Sequence, residues 1–173
     1  MTTSSDIRIY AACLAAYNNG ILHGAWVDAD QDADSIRGDI AAMLKASPIP
    51  DAEEWAIHDH EGFEGLDIAE YEDIDAVARK AEFVADHGKL GAEVASYYGG
   101  DLDDAERALE EGYFGEYRTA ADFAEEVTEN QADIPDNLRY YIDYERMARD
   151  MELSGDIFTI ETGFEEVHVF GSH

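Results

Sequence analysis

The stretch "NLRYYIDYERMARDMEL", Asn137 to Leu153, decides how the rest of the chain is read. Leu138, Tyr141, Ile142, Ala148 and Met151 recur at the three-to-four spacing of one helical face. Asn137 stands where an N-cap belongs, Pro135 stops any earlier helix, and Ser154-Gly155 supplies a stop. The spacing predicts one helix across the stretch. Between Leu138 and Leu153 four acids (Asp143, Glu145, Asp150, Glu152) meet three bases (Arg139, Arg146, Arg149), whereas the whole chain has 41 Asp and Glu against 11 Lys and Arg. A nearly neutral, tyrosine-rich helix in a chain of net charge −30 is expected to pack inside the protomer or against a second copy.

Outward from that helix, composition sets bounds. Hydrophobic residues make up 46% and aromatics 11% of the 173 residues, enough for a core and too many for a disordered acidic tail. Cys13 is the only cysteine, which excludes an internal disulfide and fits a reducing cytoplasm. The opening "MTTSSDIRIYAACLAAY" has no basic start followed by a clean apolar run, so no signal peptide is expected. No stretch approaches the roughly 18 uninterrupted apolar residues of a membrane span. The charge repels nucleic acid and anionic membranes, so neither is expected as a direct ligand; basic surfaces or cations are.

Ile7–Leu14 alternates as a strand, Asn18-Asn19-Gly20 forms a turn, and Ile21–Val27 returns as a second strand. "DADQDADS" (Asp28 to Ser35) leads into a short helix with Ile36, Ile40, Met43 and Leu44 inward, ended by Pro48 and Pro50. Glu54–Asp59 is a third strand, and Gly62 and Gly65 mark a boundary. Ile74, Val77, Ala78, Ala81, Val84 and Ala85 form a helical stripe ended by His87-Gly88, and Leu90–Tyr98 is a shorter helix stopped by Gly99-Gly100. Leu102, Ala105 and Leu109 give a third stripe with Asp103, Glu110 and Glu111 facing away. "GYFGEYR" (112–118) is aromatic enough for a strand, Thr119 caps a helix to about Asn130, and Asp156–Glu161 with Phe164–Phe170 closes a hairpin around Thr162-Gly163. The expected class is α+β. It divides into a β-rich N-terminal lobe (1–62), a helical middle (63–111) and a mixed C-terminal lobe (112–173).

The helix from Thr119 turns Ala120, Phe123, Ala124 and Val127 inward and Asp122, Glu125, Glu126 and Glu129 outward, with no base among the four acids. Each like-charge pair at i, i+4 costs roughly 0.2–0.5 kcal/mol. Stability alone would favour alternating signs, so a bare row of carboxylates implies another use.

Other motifs fall short of chemistry. Asp28, Asp30 and Asp32 start like a calcium loop, but Ala33 stands where glycine makes the turn and Asp39 where a bidentate Glu is needed. His58 and His60 share a strand face, yet no third and fourth ligand has partner spacing. There is no nucleophile with a base, phosphate-cradling loop or zinc helix. No catalytic residue, cofactor or metal is expected. DNA carries one charge per roughly 1.7 Å of duplex axis, so thirty charges match about 50 Å of duplex, and a dimer about 100 Å. Salt adaptation or cation binding would also use an acidic surface; the sparing of the arginine-bearing helix argues against acidity spread over every surface.

"IYAACLAAYNNGILHGAW" (9–26), "EWAIHDHEGF" (54–63) and "NLRYYIDYERMARDMELSG" (137–155), in this order, resemble the ArdA antirestriction family. The resemblance implies an elongated, three-lobed, acidic homodimer that mimics bent B-form DNA, encoded on mobile DNA. It also implies that such a dimer occupies the DNA-binding groove of type I restriction-modification enzymes, and that no catalysis is involved. The phosphate-like positions are expected at Asp28, Asp30, Asp32, Asp34, Asp39, Glu53, Glu61, Glu64, Asp67, Glu70, Glu72 and Asp73, and at Asp103, Asp104, Glu110, Glu111, Glu116, Asp122, Glu125, Glu126 and Glu129. The family's antirestriction motif maps onto Leu138–Leu153. The resemblance places Leu138, Arg139, Tyr140, Tyr141, Ile142, Tyr144, Arg146, Met147 and Arg149 at or beside the dimer interface.

Overall fold

Two α+β units follow one another along the chain, Met1–Leu102 and Asp103–His173. The computed structural model describes residues 6–172; residues 1–5, part of the opening read above for a leader, lie outside it.

In the first unit the order is β1 (Arg8–Cys13), α1 (Leu14–Asn18), β2 (Gly24–Asp28), α2 (Ala33–Lys45), β3 (Trp55–Glu61) and α3 (Ile74–Tyr97). The sheet runs β2-β1-β3, antiparallel throughout. Alternation sends Ile9, Ala11 and Val27 to the core, where Ile36, Ile40 and Met43 of α2 are also buried. The first strand ends one residue earlier than its pattern suggests, because Leu14-Ala15-Ala16-Tyr17 winds into α1. Asn19 Nδ2 closes that turn on the Ala15 carbonyl at 2.7 Å, and β2 starts only at Gly24. Within α3, Gly88 at φ 65° breaks the helix at the His87-Gly88 stop that the sequence predicts. Gly99 and Gly100, at φ 69° and 92°, stop the second half.

The second stretch comprises α4 (Leu102–Arg107), a π turn (Ala108–Gly112), β4 (Tyr113–Tyr117), α5 (Ala120–Gln131), a 3-10 turn (Asp136–Tyr141), α6 (Tyr144–Ser154), β5 (Ile157–Gly163) and β6 (Glu166–Gly171). Its sheet order is β4-β6-β5. Phe123 of α5 and Ile157, Val167 and Val169 of the sheet form the core, with Tyr117, Val127 and Met151 packed against it. Thr119 caps α5 by accepting a hydrogen bond from the Asp122 amide at 3.1 Å.

Two expectations need correction. The single helix from Asn137 is two pieces, because Ile142 and Asp143 are extended and the Asp143 carboxylate caps α6 through the Arg146 amide at 3.0 Å. A short acid that bonds its own backbone competes with helix continuation, and here it wins. The closing turn lies at Phe164-Glu165 rather than Thr162-Gly163, since Gly163 pairs with Glu166 in the ladder. Phe164, expected in a strand, is 91% exposed at the tip.

Candidate functional site

Each unit presents its own acidic surface. No Asp or Glu is buried among the described residues, which include all 41. In the first unit Asp32, Asp34, Asp39, Glu53, Glu61, Glu64, Asp67, Glu70 and Asp73 are exposed, and Asp28, Asp30 and Glu72 half-buried. The Asp28–Asp32 segment is organised as a helix start. Asp28 accepts from the Asp30 amide at 2.9 Å, and Gln31 Nε2 donates to the Asp28 carbonyl and the Asp39 carboxylate, each at 2.8 Å. Asp32 caps α2 by accepting from the Ser35 amide at 2.7 Å, which holds its carboxyl below the usual range. Burial, then the charges of Asp28 and Asp86, push the Asp30 carboxyl up. Arg37 links Asp34 of its own helix, at 3.3 Å, to Asp75 of α3 at 3.0 Å. The hydrogen bond to Asp75 is the main reason the Arg37 pKa is raised. Lys80 pairs with Glu72 at 2.9 Å, Arg8 with Glu61 at 2.6 Å, and His58 lies 3.8 Å from Glu70.

In the second unit Asp103, Glu110, Glu111, Glu116, Glu125, Glu126 and Glu129 are exposed, with Asp104 and Asp122 half-buried. The row on α5 forms as expected, but it is not bare. Arg118, just before the helix, lies 3.8 Å from Asp122, and Arg139 of the 3-10 turn reaches Glu129 at 3.2 Å. Glu126 accepts a short hydrogen bond from the Tyr117 hydroxyl. Burial first, then that bond and the Glu126 charge, push the Tyr117 phenol up to about 12. The Tyr144 phenol is also raised, by burial and then by Glu129 and Glu125. A helix-only reading missed these partners because each comes from outside α5.

The motif residues divide by exposure. Tyr140 and Tyr141 are 94% and 83% exposed and Leu138 48%, so three apolar or aromatic side chains of the 3-10 turn lie bare. Arg139, Arg146 and Arg149 are also exposed, and Ile142, Tyr144 and Met147 half-buried. Ala148 is the buried residue of α6. A groove of about 520 Å³ runs beside Ile142, Arg146, Met147, Asp150 and Met151.

The charge row and most of the motif lie on the surface of the second unit. Among the described residues no group of three or more His, Cys, Asp or Glu could hold a metal ion. No helix among them is long and apolar enough to cross a membrane. Sequence reading also passed over His168, buried at the centre of the second sheet, where Tyr113 meets Nδ1 at 2.8 Å and Thr162 meets Nε2 at 3.0 Å.

No curated protein matches the chain. The model of the antirestriction protein (ArdA) family matches residues 9–166, which spans both units and ends at the first residue of β6. The chain belongs to the ArdA family of antirestriction proteins.

Proposed function

We propose that this antirestriction protein acts by DNA mimicry, presenting its carboxylates to the DNA-binding groove of type I restriction-modification enzymes. The observation that carries the reading is the placement of the acids: 41 acidic residues, none of them fully buried, against 11 bases. Carboxylates three or four positions apart on a helix lie about 5–6 Å apart at the β-carbon. The target's Lys and Arg pair with them as they would with phosphates, in charge-assisted hydrogen bonds that follow counterion loss. A field of this size steers encounter from a distance. The work is binding, without a chemical step.

A second copy fits the same reading. The exposed Leu138, Tyr140 and Tyr141 and the arginines of the motif lie where two anionic protomers repel each other least. They form the proposed two-fold contact. Displacement of a labelled duplex from a type I methyltransferase core tests the central reading. Stoichiometric release of DNA supports mimicry. Inhibition of cleavage with the duplex still bound contradicts it.

A further inference from the structure

The outward face of the first sheet holds a group of side chains that charge alone does not explain. Register sets Tyr10 opposite Trp26 of β2 and Asp59 of β3, and Arg8 opposite Asp28 and Glu61. Alternate residues share a face, so these six lie on the side away from buried Ile9 and Val27. The Tyr10 and Trp26 rings are 5.4 Å apart and Trp26 is 38% exposed. Gly24 makes room for the pair, since a β-carbon there would lie 2.8 Å from the Tyr10 ring. One guanidinium is already seated on this face. Arg8 Cζ lies 4.6 Å over the Trp26 ring while Nη2 reaches the Glu61 carboxylate at 2.6 Å.

We infer that this face is an arginine-recognition surface, taking guanidinium groups of a basic protein partner onto the Tyr10–Trp26 pair between the carboxylates of Asp28, Asp59 and Glu61. The inference rests on the mimicry reading for the partner's basic character and adds which base is favoured. Arginine stacks flat on an aromatic face and forks onto a carboxylate; the compact, strongly hydrated lysine ammonium does neither as well. Arg8 shows the geometry in the free protein and shields part of the pair. Asp59 is exposed with no base from β1 opposite it, and the Tyr10 it faces across the register is half-buried.

The experiment measures binding of octa-arginine and octa-lysine peptides to the full chain at one salt concentration. The expected ratio favours arginine. Tyr10→Leu with Trp26→Leu lowers the ratio about two- to five-fold at unchanged net charge. Arg8→Gln raises it, because the vacated ring face and Glu61 become available. Circular dichroism checks the fold of each variant, and Arg8→Gln carries the test if the aromatic pair proves necessary for folding. An unchanged ratio in the folded double variant, or a ratio that stays level or falls in Arg8→Gln, overturns the inference. Failure to displace DNA from a type I core, with the ratio behaving as stated, strikes the functional reading and leaves the arginine surface standing.

Discussion

Lys80 and Glu72 show what a single ion pair does where the rest of the surface is unbalanced. Lys80 Nζ donates to the Glu72 carboxylate and to the Asp67 carbonyl, both at 2.9 Å, tying the segment before α3 onto that helix. Their side chains are only 17% and 14% exposed; Lys80 and the Ala69 amide both reach Glu72 Oε1, and Oε2 meets no hydrogen-bond partner among the described residues. Removing the ammonium leaves a largely buried carboxylate uncompensated. Lys80→Ala is expected to lower unfolding stability by roughly 2 kcal/mol in urea titration, more than any exposed salt-bridge deletion such as Arg107→Ala. Tyr117 makes the pH prediction. Its folded pKa is raised to about 12, so the neutral phenol's contribution is complete below its unfolded value near 10 and is lost as pH climbs through about 12. Stability should therefore fall from about pH 10 upward. Tyr117→Phe should flatten that fall, read from urea midpoints across the range. Neither residue was legible in the sequence: Lys80 and Tyr117 acquire their roles from partners that the fold brings to them.

At the scale of elements the sequence was a good guide to existence and a poorer one to ends. The α5 stripe, the glycine break in α3 and the strands of both sheets follow from periodicity and glycine placement, because burial of one face dictates them. The helix from Asn137 did not hold together. The sequence marks Asn137 as the cap, and the fold places the cap of α6 at Asp143 instead. Asp143→Ala should cost about 1 kcal/mol, whereas Asn137→Ala should change stability by less than about 0.5 kcal/mol. Equal effects in thermal or urea unfolding would contradict the split. The exposed 3-10 turn supports a second prediction. Tyr141→Ala should shift the protein toward a lower mass by light scattering while its circular dichroism is unchanged. A wild type that is monomeric at micromolar concentration would remove the proposed two-fold contact.

For the whole molecule the decisive quantity is a sum of charges, and sums are what a sequence reports well. The order of the three resembling segments carries the family, and the net charge and the sparing of the motif accord with it. What could not be read was which carboxylates are tied to bases. Arg37 and Arg139 reach acids 38 and 10 residues away, at pairings set by packing rather than spacing. Because the binding term is spread over many carboxylates, Glu125→Gln alone should leave inhibition within about two-fold of wild type. Neutralising the α5 row together should weaken it by an order of magnitude or more. Loss of inhibition from the single change would point to a discrete site instead.

The most direct measurement is the affinity of the protein for a type I methyltransferase core across a salt series. Mimicry predicts that log affinity falls steeply and linearly with log salt, as it does for DNA itself, with a shallower slope once the α5 acids are neutralised. Affinity that stays flat from low to high salt would contradict it.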